Sequence, residues 1–156
     1  MAFLISSSGR HSGWGLFLLR LILGAVMFVA GWKKLFEFGV DNFAKALATQ
    51  GVPVPEFFAW AVTLLEVVGG AFIIIGLLAR ISALLLAIDM VVAILLVTIH
   101  VGFLSSTGKS GVELNLLLIG GFLAILLAGP GSISIDRLLE GGRATGRADA
   151  GLAGGA

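Results

Sequence analysis

Isolated ionisable side chains stand inside long apolar runs of this sequence. Glu66 is the only one in FFAWAVTLLEVVGGAFIIIGLL, residues 57–78, and Asp89 stands near the middle of the run 81–103. A carboxylate in an apolar medium is costly unless it is paired or protonated, so an ionisable residue at such a position is by default a candidate functional group. Glu66 and Asp89 are therefore candidates for proton exchange with a bound molecule. A structural ion pair is the alternative.

Other polar residues lie in or beside the same runs and could complete a site. Arg20 and Lys34 can supply counter-charges, His100 and Glu113 can exchange protons, and an amide such as that of Asn115 can hydrogen-bond between helices. The candidates for ligand binding or proton exchange are therefore Arg20, Lys34, Glu66, Asp89, His100, Glu113 and Asn115.

Several of these residues also have simpler interpretations. Arg20 can extend to the headgroups, Lys34 and His100 can be interfacial residues, and Asn115 can do no more than link two helices. A single inward histidine with scattered carboxylates lacks the spacing of metal ligands, so no metal site is predicted. The catalytic residues, if there are any, are not identified by the sequence.

Composition places the chain in the membrane. It is 58% hydrophobic and 12% charged, with a mean hydropathy of +1.11, whereas soluble domains carry about 25% charged residues. A net charge of +1 gives no basic field for nucleic acid. The absence of cysteine excludes thiol redox chemistry and thiolate metal or Fe–S ligation by this chain alone.

Four apolar stretches have the length of a membrane-spanning helix, about 20 residues. The sequence predicts an all-α transmembrane four-helix bundle with spans at about 15–36, 57–78, 81–103 and 112–129. Only Ala79 and Arg80 link spans two and three in this prediction. Residues 1–14 form an N-terminal tail, 15–137 the membrane domain, and the Gly/Ala/Arg-rich residues 138–156 a disordered tail.

A short interfacial amphipathic helix is predicted between spans one and two. Phe36, Val40, Phe43 and Leu47 recur on one helical stripe, and GVPVP, residues 51–55, then interrupts the helix. A helix packed on the end of the bundle is the alternative. Basic residues are more numerous on the side of the termini, which predicts a multi-pass protein of the inner membrane with cytoplasmic termini.

Depth and helical spacing predict which polar residues meet. Counted from the side of the termini, Arg20 lies about 6 Å deep, Asp89 about 12 Å and Glu66 about 18 Å. Arg20 is therefore expected to reach Asp89 and, with tilt, Glu66, while Lys34 is expected to reach Glu66 or Glu113.

Each span is also predicted to have one inward face of polar and small residues. The predicted faces are Arg20, Gly24, Met27, Gly31 and Lys34 in span one; Thr63, Glu66, Gly70, Ile73 and Leu77 in span two; Asp89, Ala93, Leu96 and His100 in span three; and Glu113, Leu116 or Leu117, Gly120 and Ala124 in span four.

Six segments in order, LLRLILGAVMFVAGWKKLF, GVPVPEFFAW, LLEVVGGAFIIIGLLAR, IHVGF, VELNLLL and GPGSISID, closely resemble the DoxX family of small four-helix membrane proteins. The resemblance covers about residues 16–137. It implies a link to quinone handling and to thiol or oxidative stress, since the family name comes from a subunit of an archaeal terminal oxidase and thiosulfate:quinone oxidoreductase system. A thiol role for this cysteine-free chain would need a partner protein.

The sequence leaves three functions open. The first is a quinone- or lipophilic-ligand-binding subunit of a membrane redox complex, at most an oxidoreductase subunit, with no intrinsic cofactor unless a quinone is bound. The second is a structural accessory subunit, and the third a small carrier, which the lack of broken helices disfavours. The expected partners are the lipid bilayer and either other membrane subunits or further copies of the chain.

Overall fold

A computed structural model describes residues 9–104, 110–129, 131 and 134–136, with side chains described from Gly13 onward. Five α-helices follow one another: α1 Gly9–Trp32, α2 Val40–Thr49, α3 Pro55–Ile75, α4 Ala79–Leu96 and α5 Val112–Ala128. A π-helical segment, Lys33–Phe38, continues α1, and a 3₁₀ turn, Thr98–His100, follows α4. The predicted tail 138–156 lies outside the described residues.

The predicted membrane architecture is confirmed. Among the described residues, three helical stretches are long and apolar enough to cross a bilayer, Gly13–Phe38, Pro55–Ile75 and Ala79–Leu96, and α5 is a shorter apolar helix of 17 residues. α1 begins at Gly9, within the segment predicted as an N-terminal tail.

The link between spans two and three differs from the prediction. α3 ends at Ile75 because Gly76 adopts a left-handed conformation (φ 71°), and α4 already begins at Ala79. The linking residues are thus Gly76–Leu78 rather than Ala79 and Arg80. Leu78 is itself left-handed (φ 48°), and the carboxylate of Asp136 accepts hydrogen bonds from the backbone N–H groups of Leu78 (2.8 Å) and Ala79 (3.0 Å). Asp136 therefore caps the start of α4.

Glycines bring α1 and α3 into backbone contact. A Cβ atom placed on Gly70 would lie 2.6 Å from the backbone nitrogen of Phe28, and one on Gly24 would lie 2.8 Å from the carbonyl oxygen of Gly70. A larger residue at either position would force the two backbones apart. The antiparallel helices α1 and α3 therefore make their closest contact through glycines. α4 packs mainly on α5.

α2 packs on α3 through its apolar face. Val40, Ala44 and Leu47 are buried and form a small cluster with Ala59 of α3. The predicted helix between spans one and two is confirmed. Phe36 does not belong to its inner face, because it lies in the π-helical segment with 62% of its surface exposed.

The predicted inward faces are right in α1 and α3 and wrong in α5. The buried residues of α3 include Thr63, Glu66, Gly70 and Ile73. In α5, by contrast, the buried residues are Asn115, Leu118, Phe122 and Ile125. The predicted stripe through Leu116 or Leu117 and Gly120 faces outward instead. α5 itself carries apolar residues on every side of the helix. The sequence pattern therefore did not show which side faces the bundle.

Candidate functional site

Lys34 and Glu66 form an ion pair between the first two membrane spans. The Lys34 Nζ donates to both carboxylate oxygens of Glu66. The ion pair forms because α1 and α3 approach closely at Gly31, where an added Cβ would lie 2.9 Å from the Cβ of Glu66. Lys34 follows Gly31 by about one helical turn and so lies beside the Glu66 carboxylate. Of the two partners predicted for Glu66, Lys34 is the one that the structure brings to it.

The structure places Arg20 at a different level of the bundle. Its side chain is 1% exposed, and it donates from Nε to the carbonyl oxygen of Ile73 (3.1 Å) and from Nη2 to that of Ile74 (3.3 Å). Ile73 lies two turns beyond Glu66, about 10 Å along α3. The expectation that Arg20 reaches Asp89 and, with tilt, Glu66 is therefore wrong, because Arg20 instead satisfies carbonyl groups that the end of α3 leaves without intrahelical partners.

Asp89 lies beside the Lys34–Glu66 pair without joining it by a hydrogen bond. Its side chain is 7% exposed, and among the described residues its Oδ2 has no hydrogen-bond partner. It is nevertheless close enough to Glu66 and Lys34 to interact with both electrostatically. A buried carboxylate oxygen without a donor is uncommon and costly, so it calls for an explanation.

One cavity is lined by Lys34, Glu66 and Asp89. It has a volume of about 280 Å³, and its walls come from all five helices. Most of the lining is aliphatic or aromatic, including Met27, Phe43 and Leu118. The polar side chains on its wall, within the described part of the chain, are Lys34, Glu66, Asp89, Thr98, Ser110 and Asn115. Apolar walls with a few convergent polar groups are typical of small-molecule sites.

Asn115 and Thr98 form a second polar contact on this wall. The Asn115 Nδ2 donates to the Thr98 Oγ1 at 3.1 Å, and both side chains are 7% exposed. The contact ties α5 to the 3₁₀ turn that follows α4. Asn115 is thus brought to the predicted site, where it also serves the helix-linking role given as its alternative.

His100 and Glu113 are not among the residues that line the cavity. The α-helical geometry of α4 ends at Leu96, and the 3₁₀ turn leaves His100 exposed. Glu113 is half-buried, and its backbone N–H donates to the carbonyl oxygen of Phe103 (3.1 Å). The spacing of Asp89 and His100, three turns of an unbroken helix, therefore does not put them on one wall.

Thr98 and Phe43 line the cavity and were not among the sequence candidates. Thr98 was missed because a threonine in an apolar run gives no signal of its own. Phe43 was assigned only to the stripe of α2, yet its ring lies 5.0 Å from the Lys34 Nζ, within cation–π range. The available signal was the position of Phe43 on the apolar stripe of the helix that follows Lys34 in the chain.

Comparison with known proteins identifies the family. The DoxX family model matches residues 15–100. The Escherichia coli K12 "Inner membrane protein YqjF" is 33% identical over 81% of this chain and 92% of its own length. The Mycobacterium tuberculosis "Uncharacterized membrane protein Rv3486" is 34% identical over 78% of this chain and 79% of its own length.

A third relative is similar over most of both chains. The Bacillus subtilis "Putative oxidoreductase CatD" is 28% identical over 87% of this chain and 95% of its own length. No solved structure matches the chain. With the family model covering more than half of the sequence and two relatives above 30% identity, the chain belongs to the DoxX family of membrane proteins.

Proposed function

We propose that this DoxX protein binds a quinone or a similar lipophilic molecule in the cavity among its helices, as a subunit of a membrane redox complex. One observation carries the proposal. An apolar cavity of about 280 Å³ has on its wall an ion pair, Lys34–Glu66, and beside it a buried Asp89 whose Oδ2 has no hydrogen-bond donor among the described residues. The name of the Bacillus subtilis relative adds support for redox chemistry.

The shape of the cavity suits a ring with an apolar chain. Its volume of about 280 Å³ is just below the range for ligand pockets, which begins at about 300 Å³, and this size fits a headgroup rather than a whole lipid. Val26, Val92 and Leu114 line the cavity and are also at least 40% exposed on the apolar outer surface. An apolar chain attached to the ring can therefore pass between the helices into the bilayer.

The chain's own residues would divide the work at this site. A bound quinone would supply the redox chemistry, since its carbonyl oxygens take up protons on reduction. Asp89 would exchange protons with the ring oxygens, because its Oδ2 has no hydrogen-bond partner within the described part of the chain. Lys34 would keep the adjacent Glu66 compensated and fixed, so that the cavity wall carries no free charge from that pair.

The proposal includes a setting in the cell. The relatives named as inner membrane or membrane proteins support a multi-pass location, and the distribution of basic residues supports cytoplasmic termini. The redox partner would be another membrane subunit, since the chain has no cysteine to carry electrons through a thiol. A second copy of the chain is the alternative partner.

The test is retention of quinone by the purified protein. We expect the protein isolated in a mild detergent to carry quinone, detected by mass spectrometry of its organic extract, at a level near one per chain. Asp89→Asn should lower the level, whereas Glu56→Gln, a change at an exposed residue in the first turn of α3, should not. The proposal is wrong if the wild-type protein retains no quinone and does not take it up when it is added.

A structural accessory role is favoured by a different observation. The guanidinium of Arg20 donates to main-chain carbonyls at the end of α3, and Lys34 occupies both oxygens of Glu66. In that case Arg20→Met and Glu66→Gln would lower the stability of the bundle, and no variant of a cavity residue would change the quinone content.

A further inference from the structure

The polar groups on the cavity wall form two separate clusters. Lys34 and Glu66 pair between α1 and α3, and Asp89 lies close enough to interact with both. Asn115 and Thr98 hydrogen-bond to each other between α5 and the turn after α4. Because α1 packs mainly on α3 and α4 mainly on α5, the two hydrogen-bonded pairs belong to different halves of the bundle, and the cavity is lined by both.

The amide group of Asn115 is held in one orientation. The Thr98 hydroxyl donates to the carbonyl oxygen of Ala93 (3.5 Å), so the Thr98 Oγ1 accepts from the Asn115 Nδ2. This contact uses one of the two N–H groups of the amide. The second N–H and the carbonyl Oδ1 make no hydrogen bond within the described part of the chain.

The unused amide groups belong to a buried residue of the cavity wall. Asn115 is 7% exposed and lines the cavity. A buried polar group without a partner is costly, and buried polar groups nearly always have one. A polar atom inside the cavity is therefore needed to complete the hydrogen bonding of Asn115.

We infer that Asn115 orients the ligand ring by donating its second N–H to one ring carbonyl, and that the ligand is a para-quinone. The two carbonyl oxygens of a para-quinone point in opposite directions from the ring. When one accepts from Asn115, the other faces the cluster that contains Asp89. Both oxygens of an ortho-quinone leave the same edge of the ring and reach only one cluster. The inference rests on the proposed function and specifies the class of quinone.

An amide suits this role in both redox forms of the ring. Its N–H donates to a carbonyl oxygen, and its Oδ1 accepts from the hydroxyl that forms on reduction. Asn115 therefore keeps hold of one ring oxygen while Asp89 exchanges protons at the other. Thr98 is a positioning residue, because its hydroxyl is already engaged by Ala93 and Asn115.

Two isomeric ligands test the class of quinone. The para-naphthoquinone and the ortho-naphthoquinone, each with a decyl chain beside a carbonyl, contain the same atoms and differ in the position of one carbonyl. Their affinities would be measured by quenching of tryptophan fluorescence in lipid nanodiscs, with empty nanodiscs as the blank. We expect the para isomer to bind about fivefold more tightly, the contribution of about one hydrogen bond. Mass spectrometry of the recovered protein checks that neither isomer has reacted with lysine.

Variants assign the preference to Asn115 and Thr98. Asn115→Leu, a change of similar size, should bring the two affinities to within about twofold of each other. Asn42→Leu makes the same change at an exposed residue of α2 and should leave the ratio as in wild type. Thr98→Val removes the acceptor that fixes the amide and should also lower the ratio, whereas Thr98→Ser keeps the hydroxyl and should retain it.

Infrared spectroscopy separates a ligand contact from a structural role. With the carbon-13 label at one carbonyl of the para isomer and then at the other, the two C=O stretching bands can be assigned. A hydrogen bond lowers the stretching frequency of the carbonyl that accepts it. We expect Asn115→Leu to raise the frequency of one labelled carbonyl and leave the other unchanged, a result that a general loosening of the bundle does not give.

The outcomes separate the inference from the proposed function. Equal affinity of the two isomers for the wild-type protein, or a para preference that persists in Asn115→Leu, would overturn the inference while the ligand site stands. Failure of both isomers to bind the wild-type protein would overturn the proposed function itself. Gel filtration checks each variant, and if Asn115→Leu does not fold, the comparison of Thr98→Val with Thr98→Ser decides.

Discussion

Lys34 Nζ donates to both carboxylate oxygens of Glu66, across the contact between α1 and α3 where Gly31 lies against Glu66. Glu66 is 2% exposed, so each partner would be an isolated charge in an apolar environment without the other. The pair is therefore both a fixed point in the packing of the two helices and one wall of the cavity.

Removing one partner of this pair should lower the free energy of unfolding more than removing both partners does. Lys34→Met or Glu66→Gln leaves a polar or charged group without its partner, and each is expected to destabilise the fold by on the order of 3 kcal/mol. The double variant should be more stable than the sum of the two changes predicts. Thermal unfolding in detergent, followed by circular dichroism, measures all three.

The control for this cycle uses Lys33 and Glu37, which are exposed neighbours in the same π-helical segment. Lys33→Met with Glu37→Gln should leave the unfolding temperature almost unchanged. Additive effects of the Lys34 and Glu66 changes would contradict a stabilising pair.

Gly70 should tolerate no side chain. An added Cβ would lie 2.6 Å from the Phe28 nitrogen and 2.9 Å from the Gly24 carbonyl oxygen, and backbone atoms cannot move aside locally. Gly70→Ala is expected to destabilise the bundle by about 1–3 kcal/mol, seen as a lower unfolding temperature in detergent.

Gly120 provides the matched control for Gly70. It lies in α5, and a Cβ added there meets nothing within 4 Å, so Gly120→Ala should leave stability unchanged or raise it slightly through helix propensity. An equal loss of stability in both variants would show that the α1–α3 contact is looser than described.

Asp136 should stabilise the start of α4. Asp136→Ala removes the acceptor for the N–H groups of Leu78 and Ala79 and is expected to cost about 1 kcal/mol. Amide hydrogen exchange in detergent should report faster exchange at the first residues of α4. Glu37→Ala, a change at an exposed acidic residue distant in sequence, should not change exchange there.

The absence of cysteine makes the membrane orientation measurable with single introduced cysteines. Lys45→Cys, at an exposed position of α2, should react with a membrane-impermeant maleimide in intact cells. Ala150→Cys, in the C-terminal segment, should react only after the cells are permeabilised. The reverse pattern would place the termini outside the cytoplasm.

The sequence predicted those parts of the site that depend on regular helical spacing. Arg20, Gly24, Met27, Gly31 and Lys34 recur at steps of three and four residues, and α1 is helical throughout this stretch up to Trp32. This regularity is why Lys34 was correctly offered as a partner for Glu66.

Two of the predictions that failed, those for Arg20 and His100, depended on where helices end. α3 stops at Ile75, which exposes the carbonyls that Arg20 binds, and α4 stops at Leu96, which turns His100 outward. A left-handed Gly76 and a 3₁₀ turn inside an apolar run change no hydropathy, so the pattern of apolar residues did not reveal either end. Thr98 enters the cavity wall for the same reason.

The cap that Asp136 provides for α4 can form only late in the synthesis of the protein. The N–H groups of Leu78 and Ala79 bind a carboxylate that lies 57 residues further along the chain from Ala79. During synthesis, the hairpin of α3 and α4 therefore exists before its cap does, and α5 must be translated before Asp136 can reach it. The hydrogen bonds that cap α4 at this end of the bundle therefore form only when the last span has emerged from the ribosome.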